Sequence, residues 1–231
     1  MKRQTKNKRA GFTLVELLVV IAIIVGLAAM TTPAVFKALK KAEITTSVNN
    51  LKDIHKAMTM FAMDNDGLFP SEELSGEYNL SSGESSNKLF AQLFASGQID
   101  SAENLFWVKK AQTCSAREPD NITTQDKRFS EQKTLQPGDV GYAYVAEQTN
   151  TDNSGRPLIF DSPPAASGFD FDVELRDGKV LVLRIGGDVK PEKLDMTTSK
   201  LLDREKKELL SISSEIWGNK EHLDIAYPDK K

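Results

Sequence analysis

The chain has 231 residues, 39% of them hydrophobic and 27% charged, with a formal net charge of −3. That length holds one ordinary domain with an appendage or two small ones, and the apolar content is far above the disordered class. A single cysteine, Cys114, excludes an internal disulfide framework and a several-cysteine zinc site; two histidines, His55 and His222, leave little for a multi-histidine metal centre or a Ser/His/Asp nucleophile; and the near-neutral balance argues against a general nucleic-acid binder.

The N-terminus departs from these averages. Residues 1–10 carry Lys2, Arg3, Lys6, Lys8 and Arg9 and no acid, and residues 12–30 are apolar with one charge, Glu16. As a helix this run spans about 28 Å, close to the ~30 Å hydrocarbon core of a bilayer. The basic flank stays in the cytoplasm, so the C-terminal bulk is expected outside it. A cleaved secretory signal, with Ala28 and Ala29 near a cut, and a plain single-pass anchor both fit this pattern. A lipoprotein does not, because no cysteine lies near the segment. Neither fitting reading explains Glu16. An acid inside a membrane segment costs roughly 2–3 kcal/mol near the centre and is a functional hypothesis by default.

The run Gly11-Phe12-Thr13-Leu14-Val15-Glu16-Leu17-Leu18 resembles the processing motif of type IV prepilins and of the pseudopilins of type II secretion systems. The resemblance implies that a prepilin peptidase cuts between Gly11 and Phe12 and methylates the new amine of Phe12. Loss of the five leader positives then takes the net charge from −3 to −8. It further implies that Glu16 neutralises the terminal amine of a neighbouring subunit, since an isolated buried charge is costly and a paired one much less so. Ala22, Gly26, Ala28 and Ala29 are small positions that allow close helix packing or are plain apolar filler. Pro33, the twenty-second residue after the cut, matches a proline of many family members and removes one backbone donor from the helix.

After Pro33 the residues Phe36, Leu39, Ile44, Val48, Leu51, Ile54, Met58 and Phe61 recur at helical spacing, with lysines and acids on the other faces. The helix is expected to stop at Asp64-Asn65-Asp66-Gly67, giving about 50 residues and near 75 Å. His55 reads as a stripe-edge residue. Residues 71–87 read as a loop, Lys88–Ser96 as a short helix ended by Gly97, and Leu105–Val108 as a short strand or buried loop edge. Residues 115–138 are polar without periodicity and read as a flexible loop, with Cys114 a small buried hydrophobe at its start. Strands are expected at Tyr142–Ala146 and Leu158–Phe160. The alternation Phe169 to Arg176 followed by Asp177-Gly178 and Val180–Ile185 reads as a hairpin whose second strand is central. Residues 199–217 read as a further helix with Leu202, Leu209, Ile212 and Ile216 on one face.

Little else suggests chemistry. Ala62–Glu73 matches a calcium loop at Asp64, Asp66, Gly67 and Glu73 but has Ala62 at its first ligand position and Pro70 inside, so a helix-ending turn is preferred. Asp170, Asp172 and Glu174 read as a solvated strand face, with a weak divalent site as the alternative. Gly186-Gly187 opens no helix, so no phosphate loop is expected. No enzyme, cofactor or metal is expected.

The expected fold is α+β and pilin-like: a long N-terminal helix on a small antiparallel sheet of three or four strands, with an extra C-terminal helix. The expected divisions are a leader at 1–11, a transmembrane and polymerisation helix at 12–32, an amphipathic continuation at 33–66 and a head at 67–231. By resemblance the chain is a structural subunit of a type II secretion pseudopilus in the inner membrane, its head periplasmic. Its implied partners are itself and other pilin-like subunits, the prepilin peptidase and the inner-membrane assembly platform. The stretch Met63–Pro70 and the lack of paired C-terminal cysteines favour secretion. A type IV pilus or DNA-uptake pilin, and a membrane-tethered cargo- or ligand-binding module, are the alternatives.

Overall fold

The computed structural model describes residues 12–100, 102–125, 128–165, 169–218 and 220–229. The chain divides into two units, Met1–Ala42 and Glu43–Lys231. The described part of the first unit is helical from Leu14 onward, the start of α1 (Leu14–Asp64), and every residue from Phe12 to Ala42 is exposed.

In the second unit, the last turns of α1 bury Leu51, Ile54, Met58 and Phe61, the i, i+3, i+4 stripe of an amphipathic helix. The helix ends where turn chemistry replaces the ladder. Asn65 caps the carbonyl of Phe61 with its side-chain amide at 2.8 Å, and the Gly67 amide returns to the carbonyl of Ala62 at 2.8 Å. Gly67 takes the left-handed conformation, φ +86°, that glycine adopts without strain. A second helix, α2 (Ser86–Ala95), starts at Ser85, whose hydroxyl accepts from the Lys88 amide, and stops before Gly97 at φ +76°. It adds Leu89, Phe90, Leu93 and Phe94 to the core, with the Phe90 ring 4.9 Å from that of Phe106 and 5.5 Å from that of Tyr144. Residues 105–108 form no strand; Phe106 and Val108 are buried from an irregular edge.

The polar stretch expected as a loop at 115–138 contains a two-stranded hairpin, β1 (Thr124–Gln125) with β2 (Arg128–Phe129). Its far end is held by buried polar contacts. The Leu135 amide donates to Glu103 Oε1 at 2.6 Å, and the Asn87 side chain donates to the Leu135 carbonyl at 2.7 Å.

Six antiparallel strands form the main sheet: β3 (Tyr142–Val145), β4 (Pro157–Asp161), β5 (Lys179–Arg184), β6 (Val189–Asp195), β7 (Lys200–Leu201) and β8 (Ile225–Ala226), in the order β7-β6-β5-β4-β3-β8. The expectation of three or four strands missed β6, whose mostly charged residues show no apolar alternation, and the two-residue edges, which are too short to show a period. β5 is central, as its two-sided apolar character requires. Tyr142, Tyr144, Leu181 and Leu183 face the core shared with α1 and α2, while Ala143, Val145, Val180 and Val182 face a second core. This alternation is the period of two of a strand buried on both faces.

Two expectations are corrected. The expected strand 169–176 is a turn, and β5 forms its hairpin with β6 across Gly186-Gly187-Asp188. Asp172 Oδ1 accepts from the amides of Glu174 at 2.9 Å and Leu175 at 3.3 Å, which folds the segment locally. Arg176 then turns inward. It makes a bidentate pair with Asp161 at 2.7 and 2.8 Å, reaches Ser47 of α1 at 3.1 Å, and its partner also accepts from the Leu181 amide. Both side chains are almost fully buried, at 4% and 2% exposed.

The expected helix at 199–217 is absent. Its residues form β7, turns and a single 3-10 turn at Glu215–Trp217. Asp203 takes hydrogen bonds from the amides of Glu205 and Lys207 and from the Ser214 hydroxyl, so its side chain offers the backbone partners that compete with a helix. The adjacent Leu209 and Leu210 are both buried, and the Trp217 indole donates to the Leu209 carbonyl at 2.7 Å. This segment covers the second face of the sheet. A long helix, an antiparallel sheet and a further short helix give the α+β, pilin-like fold.

Candidate functional site

α1 begins with a reciprocal cap. The amide and hydroxyl of Thr13 both donate to Glu16 Oε2 at 2.8 Å, and the Glu16 amide donates back to the Thr13 hydroxyl at 3.2 Å. This is a capping box, in which the third helical residue satisfies an amide that the helix leaves without a partner. The signal lay in the spacing Thr13-x-x-Glu16 and was missed because Glu16 reads first as a charge in an apolar run. The cap holds Glu16 at the helix start with both contacts on one oxygen. Among the described residues Oε1 has no hydrogen bond. Phe12 precedes the cap and is 76% exposed. Gly11 and the rest of the expected leader lie outside the described residues.

Pro33 lies inside α1 and supplies no amide to the carbonyl four residues earlier. Just before it, the Thr32 hydroxyl donates to the Ala28 carbonyl at 2.6 Å and the Thr31 hydroxyl to the Leu27 carbonyl at 3.2 Å. Side-chain donors thus gather on the turn that the proline weakens. A methyl group added at Gly26 would meet nothing within 4 Å, so no contact inside the described chain requires a glycine there.

The other sequence candidates gain no chemistry. Asp64, Asp66 and Gly67 belong to the helix-ending turn, with Asp64 accepting from the Gln98 amide group at 2.9 Å. Asp170, Asp172 and Glu174 do not share a strand face, because no strand forms there. His55 sits at the stripe edge, its Nε2 2.8 Å from the Ile185 carbonyl, tying the helix to the end of β5. Cys114 is buried, and burial pushes its thiol up to about 11, so it is a packing residue and no nucleophile.

α1 is, among the described residues, the one helix long and apolar enough to cross a membrane. Residues 6–31 match the family described as the prokaryotic N-terminal methylation motif. The N-terminus carries a prepilin-type methylation motif. The prepilin-type segment extends its likeness into α1. The chain is 35% identical over 60 residues to the type II secretion system core protein G of Pseudomonas aeruginosa, which is 26% of this chain and 42% of that protein. It is 47% identical over 55 residues to the type IV wide pilus major component PilA4 of Thermus thermophilus, 24% of this chain and 42% of that one. The chain thus covers about two fifths of each of these relatives. No solved structure matches it significantly. Neither relative's name denotes an enzyme, and the apolar helix with the prepilin motif fits a membrane-anchored, single-pass pilin.

Proposed function

We propose that this chain is a structural subunit of a type II secretion pseudopilus. The observation that carries the reading is the methylation motif over residues 6–31 opening a membrane-length helix with Glu16 in its first turn. The peptidase cuts after Gly11 and methylates Phe12. The mature chain sits in the inner membrane with its head in the periplasm, and the assembly platform adds it to a filament through α1. Glu16 remains capped by Thr13 through Oε2 and offers Oε1 to the terminal ammonium of a neighbouring subunit. Pairing removes the cost of a lone charge in lipid and sets the axial register of the entering subunit. Pro33 and the small residues Ala22, Gly26, Ala28 and Ala29 let neighbouring helices bend and approach.

A type IV pilus subunit is the second reading, supported by the higher identity to the wide pilus component. Glu16→Ala tests the assembly role. The variant is expected to be cut and methylated normally, by intact mass, yet to be lost from sheared or cross-linked filaments. A mass showing a cut near Ala29, or a Glu16→Ala chain that still polymerises, overturns it. Immunogold labelling separates the two systems: long surface fibres mean a pilus, and label confined to the envelope means secretion.

A further inference from the structure

β3 and β8 pair at Val145 with Ile225, and one step further the Ala146 amide donates to the Asp224 carbonyl at 2.8 Å. Asp224 therefore stands opposite Ala146 at the end of the pair, and Glu147 follows Ala146 in a left-handed conformation, φ +53°. Two residues before Asp224 lies His222, whose Nε2 is 3.2 Å from Asp224 Oδ2. One ligand atom from each of Glu147, His222 and Asp224 lies within 4.8 Å of the other two. The approach to His222 is tied to the same spot, because Lys220 Nζ donates to the Glu147 carbonyl at 2.9 Å.

The geometry points to Glu147, His222 and Asp224 as a binding site for a zinc-like divalent transition metal that fastens the C-terminal strand β8 onto β3. One imidazole and two carboxylates is a donor set that zinc accepts with a water in the fourth position. Calcium prefers six to eight oxygens and makes poor use of an imidazole. Ligand atoms around a tetrahedral zinc stand about 3.3 Å apart for bonds near 2.0–2.1 Å. The His222–Asp224 pair is already at that separation, and Glu147 is an exposed side chain that closes the rest by rotation. The consequence is structural. β8 has two residues, and a metal held from both strands adds a bond at the end of a short edge ladder.

The test uses the full-length protein in detergent, stripped with a chelator and dialysed against zinc chloride. Wild type is expected to bind one zinc per chain and to unfold at higher temperature as zinc is added. His222→Ala and Asp224→Asn are expected to bind at least about tenfold more weakly and to lose the thermal response. His55→Ala, which removes the other histidine, should keep both. Three results overturn the site: no stoichiometric zinc on wild type, a response that survives His222→Ala, or calcium acting as well as zinc. All three side chains lie at the surface or partly exposed, so the variants retain the core.

Discussion

Glu103 is 1% exposed and accepts a hydrogen bond from the Leu135 amide at 2.6 Å, with the Asn121 amide as a weaker partner. Burial, with Asp139 and Asp120 nearby, raises its carboxyl above the ordinary range, the Leu135 contact offsetting only part. A carboxyl raised in the folded state binds more protons there than in the unfolded chain. Its contribution is therefore complete below the ordinary carboxylate pKa and is lost as pH rises towards the raised value. Glu103→Gln keeps an oxygen for the Leu135 amide and removes the charge. The variant should melt higher than wild type near neutral pH, and the difference should vanish in acid; thermal unfolding across pH checks this, and a gain that grows in acid refutes it. The neighbouring polar residues of residues 115–138 had no periodicity to read, because buried contacts such as those of Asn87 and Glu103 join positions far apart in the chain. Glu16 shows the opposite case: its role at the helix start was present in the local spacing with Thr13.

At the scale of elements, patterns that matched a period survived and patterns that mimicked one failed. The stripe of α1 from Leu51 to Phe61 and the strand β5 are repeated along one face or both, and they appear where expected. The alternation from Phe169 to Arg176 is equally regular, yet Asp172 folds it into a turn and Arg176 is drawn to Asp161, which lies on β4. Breaking such a buried pair leaves a lone charge, at a cost of about 3–5 kcal/mol, so the partner outweighs strand propensity. The segment 199–217 has the residue types of a helix but packs as irregular chain over the sheet, with Trp217 fully buried. Arg156 donates to the Trp217 carbonyl at 2.9 Å and its guanidinium lies over the ring at 6.0 Å. Trp217→Ala should cost about 3–5 kcal/mol, and so lower the midpoint by roughly 10 °C. Limited proteolysis should then cut first within 199–217; unchanged cleavage would mean that the tryptophan does not hold the segment.

At the scale of the whole molecule, every buried residue among those described lies at Ser47 or later, and both hydrophobic clusters fall within the second unit. The described apolar side chains of the first unit are exposed. A fragment beginning at Glu43 should therefore fold without detergent, with one cooperative unfolding transition and the helix-and-sheet circular dichroism of the head. Aggregation or a non-cooperative melt of that fragment would show that the first unit is needed for the fold.

The sequence by itself determined the apolar N-terminal helix, the charge asymmetry around it, the motif from Gly11 to Glu16, the end of α1 and the centrality of β5. Each is written in contiguous residues, as composition, capping chemistry or a local period. Only the tertiary structure decided that β5 pairs with β6 in a hairpin and not with 169–176, that the sheet has six strands, that a non-helical segment covers its second face, and that Glu147 meets His222 and Asp224. These depend on contacts between positions tens of residues apart, where a buried ion pair or an indole outweighs the propensity of a short run.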